Sequence, residues 1–264
     1  MRIPTRLMSG SVRRHAPVWI GMTAIISMSW LYLARMDGSM SAMGASASGH
    51  AGMAMGDAGA PTLVAVFAMW AVMMVAMMLP TVAPSARVFS TLATRRDPRR
   101  GATTAAIYVV AYTTPWIAFA APAALMQWTL TQSLLLDPMA RSTNGLLSAA
   151  ILLGAGIYQF TPLKTACLSK CRSPLAFFMA QWRDGPAGAL VLGLQHGSYC
   201  VACCWALMAV MFVVGAMNLP WMGLLTFLVL GEKVIPAAWH FDRVVGVTLV
   251  SSGLWVAAGE WLGA

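Results

Sequence analysis

Seven apolar runs, most of them close to 20 residues long, constrain this chain more than any other feature. A run of about 20 apolar residues can cross the hydrocarbon of a membrane as an α-helix. Of the 264 residues, 59% are hydrophobic and 9% are charged, whereas soluble domains carry about 25% charged residues. The strand alternation of a membrane barrel is missing. The sequence therefore predicts an all-α polytopic membrane helix bundle, with spans at 17–35, 62–80, 103–126, 145–163, 188–215, 220–236 and 244–262.

The basic residues are divided unevenly between the two ends of these spans. Threading seven helices through a membrane places fourteen lysines and arginines on one side, and only Arg35 and Arg141 on the other. Such an excess marks the cytoplasmic side. The net charge of +9 is therefore a topology signal, and nucleic acid is not an expected partner. We expect a multi-pass protein of the cell (inner) membrane, with a cytoplasmic N-terminus and cytoplasmic loops at 87–100 and 164–185.

The chain divides most simply into an N-terminal segment, residues 1–61, and a six-helix membrane domain, residues 62–264. The first span follows a basic start, as a signal peptide does, and cleavage would leave six helices. Its apolar stretch is longer than the usual signal-peptide core, which favours a retained helix. The external loop at 35–57 contains few apolar side chains other than methionine and is predicted to be disordered. It is either a weak collector of soft metal ions or a low-complexity linker, and its sulfur and imidazole donors are Met36, Met40, Met43, His50, Met53 and Met55.

The stretch "HGSYCVACCWALM", residues 196–208, concentrates metal-ligand types inside a predicted span. At 100° per residue its histidine and cysteines form one stripe along a helix. Thiolate and imidazole together suit copper(I), zinc or iron–sulfur chemistry. A CxxC sequence is also typical of a redox pair, and a single buried cysteine is an ordinary small apolar residue. We predict a primary metal site composed of His196, Cys200, Cys203 and Cys204.

Two further groups of sulfur side chains have helical spacing. Cys167 and Cys171 in "CLSKC" are four residues apart, so both thiols can face one ligand on a helix. The alternative is that they are two reduced cysteines without a function. The stretch "AMWAVMMVAMMLP" places methionines at the same spacing, where core packing is the ordinary interpretation. It also predicts thioether ladders that hold a soft ion, made of Met73, Met74, Met77 and Met78.

Two adjacent charges, Glu232 and Lys233, interrupt the sixth predicted span. Charges within a membrane are costly and are usually paired or functional. Because neighbouring residues point about 100° apart on a helix, the two need not pair with each other. Glu232 is a candidate hard ligand or proton carrier, and Lys233 a candidate counter-charge to thiolates. The alternative is that both lie near the membrane interface, where lysine reaches water.

Four motifs together resemble the domain-of-unknown-function 2182 family, which is described as predicted metal-binding integral membrane proteins. The motifs are "GLQHGSYCVACCWALM", "MMVAMMLP", "YQFTPLKTACLSKCRSP" and the "EK" of the sixth span. They cover predicted spans two to seven. The family usually has glycine before the double cysteine, where this chain has Ala202. The resemblance implies a metal-binding role in a membrane and does not choose the metal.

The sequence favours a membrane protein that handles copper(I), by transport, delivery or insertion. Thioether is a poor zinc ligand, so methionine beside cysteine and histidine favours copper(I), with zinc as the second candidate. The alternatives are a thiol-redox or metal-dependent enzyme or assembly factor, and a structural subunit of a larger complex. Walker, dinucleotide and hydrolase motifs are missing, and enzymatic activity stays open. The expected partners are the lipid bilayer, a soft metal ion, and a periplasmic metal chaperone or a membrane enzyme complex.

The predicted topology also gives an order in which an ion would meet these groups from outside to inside. That order begins with the loop methionines and ends with the cytoplasmic cysteine pair. The stations between them are Cys200, Cys203 and Cys204, then His196, then the ladder from Met73 to Met78.

Overall fold

A computed structural model describes residues 5–49, 62–137, 140–216 and 218–263, and this part of the chain is almost entirely helical. A 3₁₀ turn, Ala237–Trp239, precedes the last helix. The α-helices are α1 (Thr5–Gly49), α2 (Leu63–Arg96), α3 (Gly101–Gln132), α4 (Gly145–Tyr158), α5 (Pro162–Arg172), α6 (Pro174–Gln181), α7 (Gly185–Ala209), α8 (Met211–Val214), α9 (Leu219–Val234) and α10 (Phe241–Gly263).

The all-α polytopic bundle is confirmed, with fewer full-length spans than the seven predicted. Within the described residues, five helical segments are long and apolar enough to cross a membrane. Helices α4 and α5 form a sixth if they count as one span bent by 64°. The predicted span 220–236 corresponds to α9, whose 16 residues are fewer than the roughly 20 needed to cross alone. The five are Ala16–Gly38, Leu63–Arg96, Gly101–Gln132, Gly185–Val214 and Ala237–Leu262.

Several segments predicted to be loops are helical instead. Helix α1 continues to Gly49, so residues 36–49 are not disordered, whereas His50, Met53 and Met55 lie outside the described residues. The basic segment at 87–100 belongs to α2 as far as Arg96. The segment at 164–185 contains most of α5 and all of α6. Lys164, counted among its basic residues, is buried rather than exposed in a loop.

Helix α3 lies between α2 and α7 and packs along both. Helix α10 packs along α4, and α5 bridges α7 and α9. The interior between α2, α3 and α7 is filled by large side chains that are fully buried, among them Trp70, Tyr108, Tyr112 and Trp116. This arrangement puts the polar face of α3 directly against the cysteine stripe of α7.

A proline in α2 provides the attachment point for α1. Pro80 has no backbone N–H, so the carbonyl four residues earlier, that of Ala76, loses its helical partner. The indole of Trp30 in α1 donates a hydrogen bond to that carbonyl at 3.1 Å. The proline therefore leaves a carbonyl that accepts a hydrogen bond from α1. This bond fixes the position of α1 along α2.

Candidate metal centre

Two glycines let α7 approach α3 closely enough for their polar side chains to meet. A Cβ atom added to Gly193 would lie 2.5 Å from the Tyr108 carbonyl oxygen, and one added to Gly197 would overlap the Tyr112 carbonyl oxygen. Glycines four residues apart allow this kind of contact between membrane helices. The backbones of α3 and α7 are therefore in contact at the level of the predicted site.

The close approach aligns two tyrosines of α3 with two ligand candidates of α7. The Tyr108 hydroxyl lies 2.8 Å from His196 Nδ1, and the Tyr112 hydroxyl donates to Cys200 Sγ at 2.9 Å. Both pairs repeat every four residues, so they stack along the same helix–helix seam. His196 is further enclosed by aromatic rings, with the Phe177 ring centroid 5.2 Å away.

Three buried thiols converge from two helices that are distant in sequence. The sulfur atoms of Cys171 in α5 and of Cys200 and Cys203 in α7 all lie within 4.8 Å of one another. Cys200 lies halfway along the 30-residue span Gly185–Val214. Three sulfurs around one ion at a metal–sulfur distance of about 2.3 Å would be about 4 Å apart. The three thiols, defined here as the trithiol cluster, are therefore close to metal-binding separation.

The remaining candidate ligands lie around this cluster. Cys204 Sγ is 3.3 Å from Cys203 Sγ and its side chain also interacts with that of Cys200, so the fourth cysteine lies directly beside the cluster. Cys167, one turn before Cys171, is buried but does not join the group of three. His196 does not belong to that group either. The structure thus brings Cys171 to Cys200 and Cys203, where the sequence predicted His196 and Cys204 as their partners.

Lys233 connects the trithiol cluster to three helices. Its Nζ donates hydrogen bonds to Cys200 Sγ at 3.0 Å, to the Tyr112 hydroxyl at 3.1 Å and to Thr81 Oγ1 at 2.8 Å. An ammonium has three donors, so all three are used. Among the described residues no carboxylate forms an ion pair with Lys233. Its positive charge therefore faces sulfur, as the sequence suggested for a counter-charge to thiolates.

Glu232 points to a different side of α9 from Lys233 and contacts α5. Its carboxylate pairs with Lys164 Nζ at 2.7 Å, and both side chains are fully buried. The Arg172 guanidinium donates to the Glu232 backbone carbonyl at 2.7 Å and to Asp242 at 3.0 Å. These bonds fix the end of α5 that carries Cys171. Glu232 is thus an ion-pair partner rather than a neighbour of the cysteines.

A cleft of about 200 Å³ reaches the cluster from the surface of the protein. Cys171, His196 and Lys233 line it, together with Arg172 and the α2 residue Val88. Cys200, Cys203 and Cys204 are fully buried, whereas Cys171 retains 6% exposure. Cys171 is therefore the member of the cluster that faces the cleft.

The four predicted methionines of α2 are all buried, and their surroundings differ. Met73, Met74 and Met77 lie in the hydrophobic core. Met78 also borders the polar network, because Thr81 Oγ1 donates to the Met78 carbonyl at 2.9 Å and lies 3.8 Å from its sulfur. The predicted transfer order placed the ladder between His196 and Cys171. That order is wrong, because Cys171 lies directly beside Cys200 and Cys203.

One protein family matches the region of the chain that builds this centre. Residues 67–256 match the family model described as PpoB2, copper chaperone. The chain belongs to this family of copper chaperones. No curated protein and no solved structure matches the chain. The matched region runs from the start of α2 into α10, so it includes every residue of the trithiol cluster and its polar network. The match supports the copper-related part of the predicted resemblance without naming the domain-of-unknown-function 2182 family.

For a copper chaperone, the sulfur donors and the ammonium are the relevant chemistry. Copper(I) prefers soft thiolate and thioether ligands. Cys200 Sγ accepts hydrogen bonds from both Tyr112 and Lys233, which suits a thiolate better than a thiol. The positive charge of Lys233 would offset part of the negative charge of a copper–thiolate group formed here. The centre thus combines soft ligands with a fixed counter-charge inside the bundle.

Sequence inspection missed the α3 side of this chaperone centre. Tyr108 and Tyr112 have the same four-residue spacing as His196 and Cys200, and Gly193 and Gly197 repeat it again. That shared period in two apolar helices was the available signal for their pairing. Thr81 carried no comparable signal, because a lone threonine in an apolar helix usually bonds to its own backbone.

Proposed function

We propose that this protein is a multi-pass membrane copper(I) chaperone that holds the ion at the trithiol cluster and passes it to a protein partner. Membership of a copper chaperone family supports copper as the cargo. The helices long enough to cross a membrane support a site within the bilayer region. On the distribution of basic residues, we assign the protein to the cell (inner) membrane with its basic helix ends in the cytoplasm.

The convergence of Cys171 with Cys200 and Cys203 is the observation that carries this proposal. Cys171 and Cys200 are 29 positions apart in the chain, so this proximity results from the fold rather than from local sequence. Buried polar groups without partners destabilise a protein. Here the sulfurs, Lys233 and Tyr112 partner one another. A copper(I) ion held by two thiolates and one neutral thiol of the cluster would have a net charge of −1, which the ammonium of Lys233 would neutralise.

The surrounding donors have secondary roles in the proposal. Cys204 and His196 lie next to the cluster and are suited to hold copper briefly during transfer, and Met78 offers a weaker thioether beside Thr81. The N-terminal segment 1–61 is proposed as a separate collector of soft ions. The resemblance to the domain-of-unknown-function 2182 family, carried by the four motifs, agrees with this role. A periplasmic metal chaperone or a membrane enzyme complex is the expected recipient.

Two cysteines of α5 provide a matched test of the site. Cys171→Ser removes a sulfur of the cluster, whereas Cys167→Ser changes a buried cysteine one turn away on the same helix. Copper and zinc would be measured in full-length protein purified under reducing conditions. We expect bound copper(I), most of it lost in Cys171→Ser and in Cys203→Ser, and retained in Cys167→Ser.

Four results would count against the proposal. Unchanged copper in Cys171→Ser would exclude the cluster, and equal loss in Cys167→Ser would indicate general damage to the bundle. Zinc bound in preference to copper(I) would overturn the choice of metal. A protein that binds neither metal, but reversibly joins Cys171 to Cys200 or Cys203 by a disulfide, would be a thiol-redox protein instead.

A further inference from the structure

The cleft beside Cys171 is lined by cationic side chains at the place where copper must pass. Lys233 and Arg172 both line it, and no aspartate or glutamate is among the described residues that do so. Arg172 is neutralised by Asp242, which lies outside the lining. Lys233 has no carboxylate partner in the described part of the chain. The charged groups of the lining itself are therefore cationic, and the sulfur that faces Lys233, that of Cys200, lies behind the lining as a ligand for the arriving ion.

A positive cleft is unsuited to a free copper(I) ion. Like charges repel, and this repulsion is strongest where water is partly excluded. An anionic copper complex experiences the opposite force, because a cleft of one sign concentrates ligands of the other. In a copper(I)–dithiolate complex the negative charge belongs to the donor sulfurs. The charge of the cleft and the sulfur donors behind it thus fit the same kind of ligand.

We infer that this cleft is the port through which copper(I) is exchanged, and that the exchanging species is an anionic copper–thiolate complex rather than the free ion. This inference rests on the proposed function. Cys171 is the first ligand of the protein, because it is the cluster sulfur that lines the cleft. Cys200 and Cys203 then complete the site within 4.8 Å.

The exchange is a substitution of ligands without oxidation or reduction. The Cys171 sulfur forms a bond to copper, and one copper–sulfur bond to the donor breaks. The departing donor thiolate takes up the proton that the cysteine thiol releases. In a second substitution the sulfur of Cys200 or Cys203 bonds to copper, and the last copper–sulfur bond to the donor breaks. The second donor leaves as a thiol when that cysteine releases a proton, and as a thiolate when that cysteine is already a thiolate. The third sulfur of the cluster then adds without displacing a ligand, and copper remains in the +1 state throughout. The positive charge of Lys233 stays near the metal–sulfur group during both steps.

Three small thiols that differ mainly in charge test the preferred donor. Copper(I) would be supplied to the full-length protein as its complex with 3-mercaptopropionate, 2-mercaptoethanol or cysteamine, which carry an anionic, a neutral and a cationic tail. We expect loading to be fastest from mercaptopropionate and slowest from cysteamine, with a difference of at least about tenfold between them. Added salt should reduce this difference. Lys233→Gln should reduce it as well.

A pair of tryptophan substitutions tests the location of the port. Val88 is half-buried and lines the cleft, whereas Val110 is 66% exposed on α3 and is not among the lining residues. Val88→Trp should slow loading at least about tenfold while the final copper content stays unchanged, because affinity changes and rate changes are separable. Val110→Trp should load at the wild-type rate.

The outcomes separate this inference from the proposed function. Equal loading rates from all three donors, or faster loading from cysteamine, would overturn the anionic donor in the wild-type protein without any variant. Equal rates in Val88→Trp and Val110→Trp would overturn the port. A wild-type protein that takes up no copper from any donor would overturn the proposed function itself.

Discussion

Helices α2 and α7 each carry a stripe of buried sulfur side chains at four-residue spacing, and the two stripes have different surroundings. The sulfurs of Met73, Met74 and Met77 accept no hydrogen bond from the described residues, although these side chains share one buried cluster with the cysteines. Around Cys200 the neighbours are a tyrosine hydroxyl, an ammonium and further thiols. Burial and sulfur content are therefore common to both stripes. What distinguishes the candidate centre is the set of polar groups that other helices direct at it.

The comparison explains why part of the site could be predicted from the sequence. Ligand types and spacing within one helix are local properties, so the His196–Cys204 stripe was visible in the printed chain. Lys233 was also recognisable, because a charge inside an apolar helix requires a partner. Cys171 was assigned to a separate pair, since nothing local reveals that α5 folds back onto α7.

The same distinction applies to the fold. Apolar runs predicted the helical bundle, because crossing a membrane imposes a minimum length on each helix. They did not predict that α9 is only 16 residues long or that the chain bends by 64° between α4 and α5. The ends of α9 coincide with the Asn218 cap and with Pro236, and α5 begins at Pro162 after the Thr161 cap. The ion pair of Lys164 with Glu232, which joins α5 to α9, links residues far apart in sequence and has no local signal.

The largest effect is expected where the polar groups of α3 meet α7. Gly193→Ala combined with Gly197→Ala places methyl groups against the backbone of α3, so the helices must separate. Overpacking of this kind costs about 1–3 kcal/mol for each site. Tyr112 would move away from Cys200, and we expect both the thermal stability and the copper affinity to fall sharply.

Gly154→Ala is the control for this prediction. A Cβ atom at Gly154 in α4 meets no atom within 4 Å, and alanine favours a helix over glycine by up to about 1 kcal/mol. Thermal unfolding and competition with a copper(I) chelator would be measured on both proteins. Wild-type copper affinity in the double variant would show that the α3–α7 contact does not build the centre.

A smaller effect is expected from removing the counter-charge alone. Lys233→Met keeps the length of the side chain and leaves Cys200 without its charged donor. A hydrogen bond to a charged group contributes about 1.5–3 kcal/mol, so copper(I) affinity should fall about 10-fold to 100-fold. Tyr112→Phe removes a neutral donor from the same sulfur and should cost less. Chelator competition measures both, and an equal loss in the two variants would contradict a specific role for charge.

The smallest effect on copper binding is expected from the methionine stripe. Leucine preserves the volume and apolarity of methionine, so Met→Leu substitutions in a core usually cost less than about 1.5 kcal/mol each. Met73→Leu, Met74→Leu and Met77→Leu together should leave copper affinity and the rate of copper delivery close to wild type, since these side chains are buried and no polar group of the described residues bonds to their sulfurs.

Met78→Leu tests the methionine of the stripe that borders the polar network. Met78 lies beside Thr81, which accepts a hydrogen bond from Lys233, so its thioether is the one member of the stripe in contact with the network. We expect this single substitution to preserve copper content at the cysteines while slowing transfer to an acceptor, measured as the release rate to a copper(I) chelator. The triple variant is its control, because it removes three thioethers from the same helix without touching that contact. Slow release in the triple variant and normal release in Met78→Leu would reverse the assignment. Met73, Met74 and Met77 would then be the side chains that take part in copper transfer. Contact with the polar network would no longer distinguish a sulfur that transfers copper from one that only packs in the core.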